Sequence, residues 1–406
     1  MSPLQQPSST RIAPILGSLG ALGPLAIDMY LPGMPKIAAD LHVSEGAVQF
    51  SLMAFFAGLM LGQLFYGPIS DRTGRKPMIY VGLALFVLAS LGCASASSAG
   101  PLVAWRFVQG LGGSIGMVIG LAVVRDLYTG RTAARLVALM MVVFGVAPVL
   151  APLIGTAIMA VAPWPVLFVV LALFGAACLV LVAVALPETR LNESRAVSRP
   201  LDAARNYLHL AVSPRYIPYV AAAALAQAGF FTYLAGSSFV FISVHGLTPT
   251  AYSLVFAVNA LGLMAGAQVG PRLMGRFRPQ AIVRSALLVY AAAALLLAGI
   301  ELAGGAGALS LAVLLFVVIT SMSFVTPLCG VMAMEAYGAI SGTAAALLGA
   351  FQFGAGTIAS LVVGLTANGT AIPMTAIIAL CGLAACLVAF TGFPKSDAAA
   401  LQEESA

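Results

Sequence analysis

The chain has 406 residues, of which 61% are hydrophobic and only 8% are charged. A soluble protein would carry roughly 25% charged residues, so this composition excludes a large soluble domain. Apolar runs recur along the whole length, and none shows the alternating polarity of a membrane β-barrel strand. The composition therefore predicts an all-α, multi-pass membrane protein.

Twelve apolar runs are each long enough to cross roughly 30 Å of hydrocarbon at about 1.5 Å per residue. They predict twelve transmembrane helices, numbered here in chain order, at residues 12–34, 47–69, 77–97, 101–123, 135–159, 164–186, 216–242, 250–272, 280–301, 307–330, 341–366 and 371–393. The first ten residues contain no basic segment and no cleavage site follows, which favours a retained first helix over a signal peptide.

Helix 1 contains an acid, Asp28, well inside its apolar run "AIDMYLPGMP". A carboxylate within the membrane costs several kcal/mol unless it faces water, finds a partner or takes up a proton. We expect Asp28 to face a central cavity, to release a proton when a substrate displaces it, and to regain one from outside. A structural carboxylate that is hydrogen-bonded to its neighbours is the alternative.

Two polar stretches follow in the first half of the chain. The loop "GPISDRTGRKP" between helices 2 and 3 places one acid and three bases within six residues. Helix 4 contains a basic residue, Arg106, inside its apolar run. Helices 1 and 4 run in opposite directions, so we expect Arg106 to interact with Asp28, directly or through Gln109 or water. Snorkelling of Arg106 to the headgroups is the alternative.

A polar stretch divides the chain into two halves of six helices. The predicted divisions are an N-terminal half (1–186), a cytoplasmic linker (187–215), a C-terminal half (216–394) and a cytoplasmic tail (395–406). The pattern around Leu201 to Leu210 indicates a short amphipathic helix. The loop "GPRLMGRFRP" after helix 8 repeats the loop after helix 2 without its acid, as a parallel six-helix repeat would.

The positions of the basic residues predict the orientation. All but two of the nineteen Lys and Arg residues fall on one side of the predicted topology, Lys36 and Arg106 being the exceptions. Basic residues in short loops are retained in the cytoplasm, so both termini are predicted to be cytoplasmic. The net charge of +6 follows from this topology, and no nucleic-acid partner is expected.

These features together resemble the major facilitator superfamily of transporters. The loop after helix 2 matches the family signature G-x-x-x-D-R-x-G-R-[RK] at every specified position. The segments "DMYLP" in helix 1, "WRFVQGLGGSIG" and "VRDLY" in helix 4, and "APVLAPLIG" in helix 5 resemble the bicyclomycin and chloramphenicol resistance (Bcr/CflA) branch. The resemblance implies two pseudo-symmetric six-helix halves and drug/proton antiport in a bacterial inner membrane.

The resemblance also implies a latch between the two halves. Asp71 would face the N-terminal end of helix 11 near Ser341 to Ala344, where the partial positive charge of the helix favours an anion. Arg75 would pair with Asp126. Gly67 would allow close helix approach, and Gly74 a tight turn. The latch residues are Gly67, Asp71, Arg72, Gly74, Arg75 and Lys76, together with Asp126.

A drug cavity should be apolar and aromatic with few polar points. The candidate lining residues are Met29, Tyr30, Gln109, Pro148, Pro152, Gln227, Phe230, Phe231, Tyr233, Phe239, Phe351 and Gln352. Relatives commonly have a second acid earlier in helix 1, and "ILGSLGALGPLA" has none. The sequence therefore favours neutral or weakly charged substrates such as chloramphenicol, florfenicol or bicyclomycin.

No nucleotide-binding or metal-binding motif occurs, so we expect no cofactor other than protons as the coupling ion, and no metal. The expected partners are a small-molecule drug and the lipid bilayer, and the protein is expected to be a monomer. Two alternatives stay open at this point. One is a proton-coupled uptake symporter for a metabolite, and the other is a membrane-bound sensor or enzyme.

Overall fold

The computed structural model describes residues 9–190, 200–305 and 307–393. These residues form twelve helices that are long and apolar enough to cross a membrane, which confirms the predicted number. Helices 1 to 6 comprise Arg11–Asp40, Glu45–Thr73, Arg75–Ala94, Ala99–Leu127, Gly130–Val161 and Pro165–Ala185. Helices 7 to 12 comprise Ile217–Val244, Pro249–Leu273, Pro279–Leu302, Ala308–Gly338, Ser341–Thr366 and Ile372–Thr391. The predicted tail at 395–406 lies outside the described residues.

Helix 1 is interrupted just beyond Asp28. Its α-helical part ends at Asp28, a 3₁₀ turn covers Leu31–Gly33, and a second α-helical part covers Met34–Asp40. Pro32 and Pro35 have no backbone N–H to donate, so the regular hydrogen-bond ladder cannot run through this stretch. Asp28 therefore lies at the end of a helical segment.

Glycines set the close helix crossings within the N-terminal half. An added Cβ at Gly110 of helix 4 would overlap the carbonyl oxygen of Phe55 on helix 2. An added Cβ at Gly116 would likewise overlap the carbonyl of Leu19 on helix 1. Membrane helices gain little from apolar burial against each other and depend on such close backbone contact. The glycine-rich segment of helix 4 is thus a packing surface.

The end of the bundle that carries Arg72, Arg75 and Lys76 is called the basic end, and the opposite end the distal end. The linker contains the predicted amphipathic helix, Pro200–Ala211, at the basic end. The Tyr207 hydroxyl donates to the Leu64 carbonyl on helix 2 at 3.1 Å. Burial, and then the charge of Asp71, raise the pKa of Tyr207 to about 12, so this hydroxyl keeps its proton at neutral pH.

The two halves meet tightly at the distal end. Gly46 on helix 2 packs so closely on helix 11 that an added Cβ would overlap the Gly364 carbonyl oxygen. On the other side, the hydroxyls of Thr156 on helix 5 and Ser253 on helix 8 are 2.8 Å apart. The Ser253 hydroxyl is also 3.2 Å from the Pro152 carbonyl, within donating distance. Helix pairs 2–11 and 5–8 therefore close the distal end.

The distal contact predicts that Gly46→Ala shifts the transporter towards a state that is open at the distal end. The added methyl meets a backbone carbonyl, which cannot rotate away. We expect a Gln49→Cys reporter, made in a chain without its native cysteines, to react with a membrane-impermeant thiol reagent about fivefold faster or more, as strain of about 1 kcal/mol would produce.

Gly100→Ala is the matched control, because a Cβ added there meets nothing within 4 Å. Equal labelling in Gly46→Ala and Gly100→Ala chains of equal thermal stability would contradict this account of the distal closure.

Candidate transport site

Asp28 lies at the interface between the two halves. The residue is only 4% exposed, and its carboxylate has no hydrogen bond or ion pair with any other described residue. The 3₁₀ turn that follows packs against helices 7 and 8 of the C-terminal half. Tyr233 and Tyr252 on these helices lie within electrostatic range of Asp28. An acid of the first half thus lies near two tyrosines of the second.

Arg106 is completely buried in the N-terminal half. Its Nη1 donates to the Ala26 carbonyl at 3.0 Å and to Gln109 Oε1 at 2.5 Å. The guanidinium carbon lies 4.8 Å from the ring centroid of Tyr30 and 4.3 Å from that of Phe55, which gives the cation two aromatic faces. The snorkelling alternative is therefore wrong.

No direct ion pair joins Arg106 to Asp28 among the described residues. Arg106 binds the backbone of helix 1 two residues before Asp28, at Ala26. Gln109, the predicted intermediary, donates to the Ser90 hydroxyl at 2.8 Å, and Asp28 is not among its hydrogen-bond partners. The cation is held by a carbonyl and by aromatic rings, which a sequence pattern does not reveal.

Three predicted cavity residues are part of the N-terminal core in this conformation. Gln109 is fully buried in the Arg106 network. The Tyr30 hydroxyl lies 2.8 Å from the Ser51 hydroxyl. Met29 is 2% exposed, and its backbone carbonyl is in contact with Gly155 of helix 5.

A small cavity, with room for about one water molecule, lies between the halves in this conformation, and three of the predicted lining residues border it. These three are Pro148 of helix 5 and Phe230 and Tyr233 of helix 7. The cavity is also lined by residues that the sequence analysis missed: Phe256, Asn259, Ala260, Leu263 and Ile319. The sequence did offer a signal for Asn259, because this residue places a side-chain amide midway along the apolar helix 8.

The other predicted lining residues are spread along the interface. Phe231 packs on Phe56 of the first half, with ring centroids 4.3 Å apart. Gln227 Oε1 accepts from the Thr326 hydroxyl of helix 10 at 3.4 Å. Pro152 takes part in the distal contact, and Phe239 borders a cavity at the distal end. Phe351 lies on an exposed face of helix 11. The side-chain nitrogen of Gln352 is buried and has no hydrogen-bond partner within the described part of the chain.

The predicted ion pair between Arg75 and Asp126 is present. Arg75 Nε lies 2.9 Å from Asp126 Oδ2, and Arg75 Nη2 lies 2.8 Å from Asp71 Oδ1. The Arg75 side chain is only 6% exposed. Asp71 also lies 3.8 Å from Arg190 of the linker. Its predicted contact with the first turn of helix 11 is not formed among the described residues and stays a prediction for another conformation.

Glu188, just after helix 6, completes this cluster and was missed by the sequence analysis. It accepts from the backbone N–H groups of Arg75 at 2.9 Å and of Lys76 at 3.2 Å, so it caps the N-terminus of helix 3. Gly74 has φ of +107°, which agrees with its predicted turn. The close approach predicted for Gly67 is wrong for this conformation, because an added Cβ there would meet nothing within 4 Å.

We predict that Arg75→Gln destabilises the N-terminal half more than Arg72→Gln does. Removing Arg75 takes the buried counter-charge from Asp126 and leaves Asp71 only the more distant Arg190, which together costs about 3 kcal/mol. Arg72 is exposed, so its neutralisation should stay within about 0.5 kcal/mol. Thermal unfolding in detergent should show a Tm about 5 °C lower for Arg75→Gln, and equal Tm values for the two variants would refute the assignment.

Comparison with known proteins shows which family has this architecture. The family model described as Major Facilitator Superfamily matches residues 16–360. The chain is 36% identical over 386 residues to the uncharacterized MFS-type transporter YdgK of Bacillus subtilis, covering 95% of each chain. It is 32% identical over 375 residues to the bicyclomycin resistance protein homolog of Haemophilus influenzae, covering 91% of this chain and 93% of the relative.

Among solved structures, the chain is similar to the inward open conformation of the xylose transporter XylE from E. coli. The TM-score is 0.74, with 98% of this chain and 99% of that chain covered at 15% identity, so the likeness is one of fold alone. With the twelve membrane helices, these matches show that the chain belongs to the Major Facilitator Superfamily and is a multi-pass inner-membrane transporter, not an enzyme.

Proposed function

We propose that this transporter exports small, mostly apolar antibacterial compounds, such as chloramphenicol, florfenicol or bicyclomycin, in exchange for protons. The observation that supports this most is the placement of Asp28. It is a buried acid at the interface of the two halves, with no counter-ion among the residues described.

The burial of Asp28 ties its protonation to the conformation. An ionised carboxylate without a partner is costly in an apolar interior, whereas the neutral acid is not. Closing the halves around Asp28 thus favours the protonated acid. Opening towards water, or a substrate that stabilises the carboxylate, favours release of the proton. Proton uptake on one side and release on the other would drive alternating access.

Arg106 is proposed to support the ionised state of Asp28. Its charge is fixed within the N-terminal half and held to the backbone of helix 1 in the same helical turn as Asp28. A fixed cation at this position lowers the electrostatic cost of the carboxylate without neutralising it in a direct ion pair. The acid stays able to exchange its proton with water or with a substrate.

The proposed substrate class follows from the cavity and from one relative. The cavity walls are apolar and aromatic, and Tyr233 and Asn259 are the polar residues among those that line it. None of the lining residues is charged, so the cavity has no fixed counter-ion for a strongly cationic drug. The name of the bicyclomycin resistance protein homolog fits a substrate of this kind.

We also propose that the basic end is cytoplasmic and that a single chain is the transporting unit. Retention of basic residues in the cytoplasm supports the orientation. The close contacts of helix pairs 2–11 and 5–8 then lie at the periplasmic end. The latch between Asp71 and helix 11 would form when the basic end closes, and would then stabilise the outward-open state.

The test is drug transport into proteoliposomes under an imposed pH gradient. We predict that the parent chain moves chloramphenicol or bicyclomycin uphill, opposite to the proton flow. Asp28→Asn should lose uphill movement and keep downhill exchange, because the amide does not ionise and so can neither release nor take up a coupling proton. Asp40→Asn removes an exposed acid of the same helix and should behave like the parent.

Uphill transport by Asp28→Asn that equals the parent's would refute the role of Asp28. Movement of drug in the same direction as protons would identify a symporter instead.

A further inference from the structure

One side of the linker helix packs against the bundle. Tyr207 donates to the Leu64 carbonyl of helix 2 at 3.1 Å, and Leu210 is fully buried. Just after the helix, the hydroxyls of Ser213 and Tyr337 share a hydrogen bond, and Tyr337 lies near the end of helix 10. These contacts fix the linker to both halves at the basic end.

The other side of the linker helix is apolar and exposed. Leu208 is 68% exposed, and Val212, directly after the helix, is 71% exposed. Ala204, one turn before Leu208, is exposed as well. Residues one turn apart lie on the same side of a helix, so these three form an apolar stripe, here called the linker stripe. Arg205 and Arg215 are exposed near its two ends, and neither forms an ion pair with an acid among the described residues.

The contact with helix 2 places the linker helix at the depth of the membrane surface. Phe65 and Ile69 are 55% and 39% exposed, and both lie nearer to the basic end of helix 2 than Leu64 does. Large apolar side chains that a membrane helix exposes face lipid, so lipid extends along helix 2 at least as far as Ile69. Tyr207 contacts helix 2 within that depth, at Leu64.

From this arrangement we infer that the linker helix docks into the leaflet at the basic end, with the linker stripe in the headgroup and acyl boundary and Arg205 and Arg215 bound to anionic headgroups. Burial of an apolar side and attraction to anionic lipid together hold an amphipathic helix in this boundary. A guanidinium group also matches the geometry of a phosphate oxygen pair. This lipid interface is separate from the transport site and does not depend on which compound is carried.

The test places a fluorophore on the linker stripe and quenchers in the lipid. A Leu208→Cys chain without its native cysteines is labelled with bimane and reconstituted into phosphatidylcholine vesicles. Doxyl-labelled phosphatidylglycerol or doxyl-labelled phosphatidylcholine is then included at increasing mole fractions. Both lipids should quench the label. Half-quenching should need about fivefold less of the anionic lipid, or lower still, because each arginine near the surface favours it by about that factor.

Matched variants separate the roles of the stripe and of the arginines. A label at Leu173→Cys, on a residue 65% exposed in the middle of helix 6, should be quenched equally by both lipids. In the Leu208→Cys chain, Arg205→Gln with Arg215→Gln should bring the two half-quenching fractions within about twofold while both lipids still quench. Arg131→Gln with Arg276→Gln removes the same charge from exposed positions outside the linker and should keep the preference.

A label on the linker stripe that neither lipid quenches would show that the stripe faces water and would overturn the inference. Equal quenching by the two lipids in the parent, or a preference that survives the loss of Arg205 and Arg215, would overturn the binding of anionic headgroups. No drug is present in these measurements. A chain with the predicted quenching but no drug/proton exchange in proteoliposomes would therefore contradict the proposed function and leave the lipid interface standing.

Discussion

The cost of placing charge in an apolar interior constrains this molecule most strongly. Asp28 and Arg106 lie in adjacent helices of the same half, and each is almost completely shielded from solvent. The structure stabilises them differently. Arg106 has a carbonyl, an amide and two aromatic faces, whereas Asp28 has no such partner among the described residues. The cation is therefore permanent, and the acid is the group whose charge can change.

The charge state of Asp28 matters because this residue lies at the interface between the two halves. Helix pairs 2–11 and 5–8 join the halves at the distal end, the first by backbone contact and the second through the Ser253 hydroxyl. At the basic end, Arg75 holds Asp71 and Asp126, and Glu188 caps helix 3. The contacts at the basic end hold the N-terminal half together. Relative movement of the halves then changes the surroundings of the few residues between them, Asp28 and Tyr233 included.

Hydropathy predicted the number of helices because a membrane span requires a long apolar run, whatever its neighbours are. The pair Arg75–Asp126 and the lining residues Pro148, Phe230 and Tyr233 could be predicted from motifs and composition. Which face of a helix meets the other half could not, because lipid-facing and buried faces are both apolar and leave no amphipathic signal. Asn259 was missed and Gln109 was assigned to the cavity for this reason. The aromatic faces around Arg106, Tyr30 and Phe55, come from two different helices, which no local pattern brings together.

The most direct test of the central claim is proton release on drug binding. Chloramphenicol or bicyclomycin is added to the purified protein in weakly buffered detergent solution with a pH indicator, at a pH where drug-free Asp28 is protonated. The account predicts that the parent releases protons in proportion to bound drug, and that Asp28→Asn binds drug without releasing any. Equal proton release by both proteins, or drug binding to the parent with no release, would contradict it.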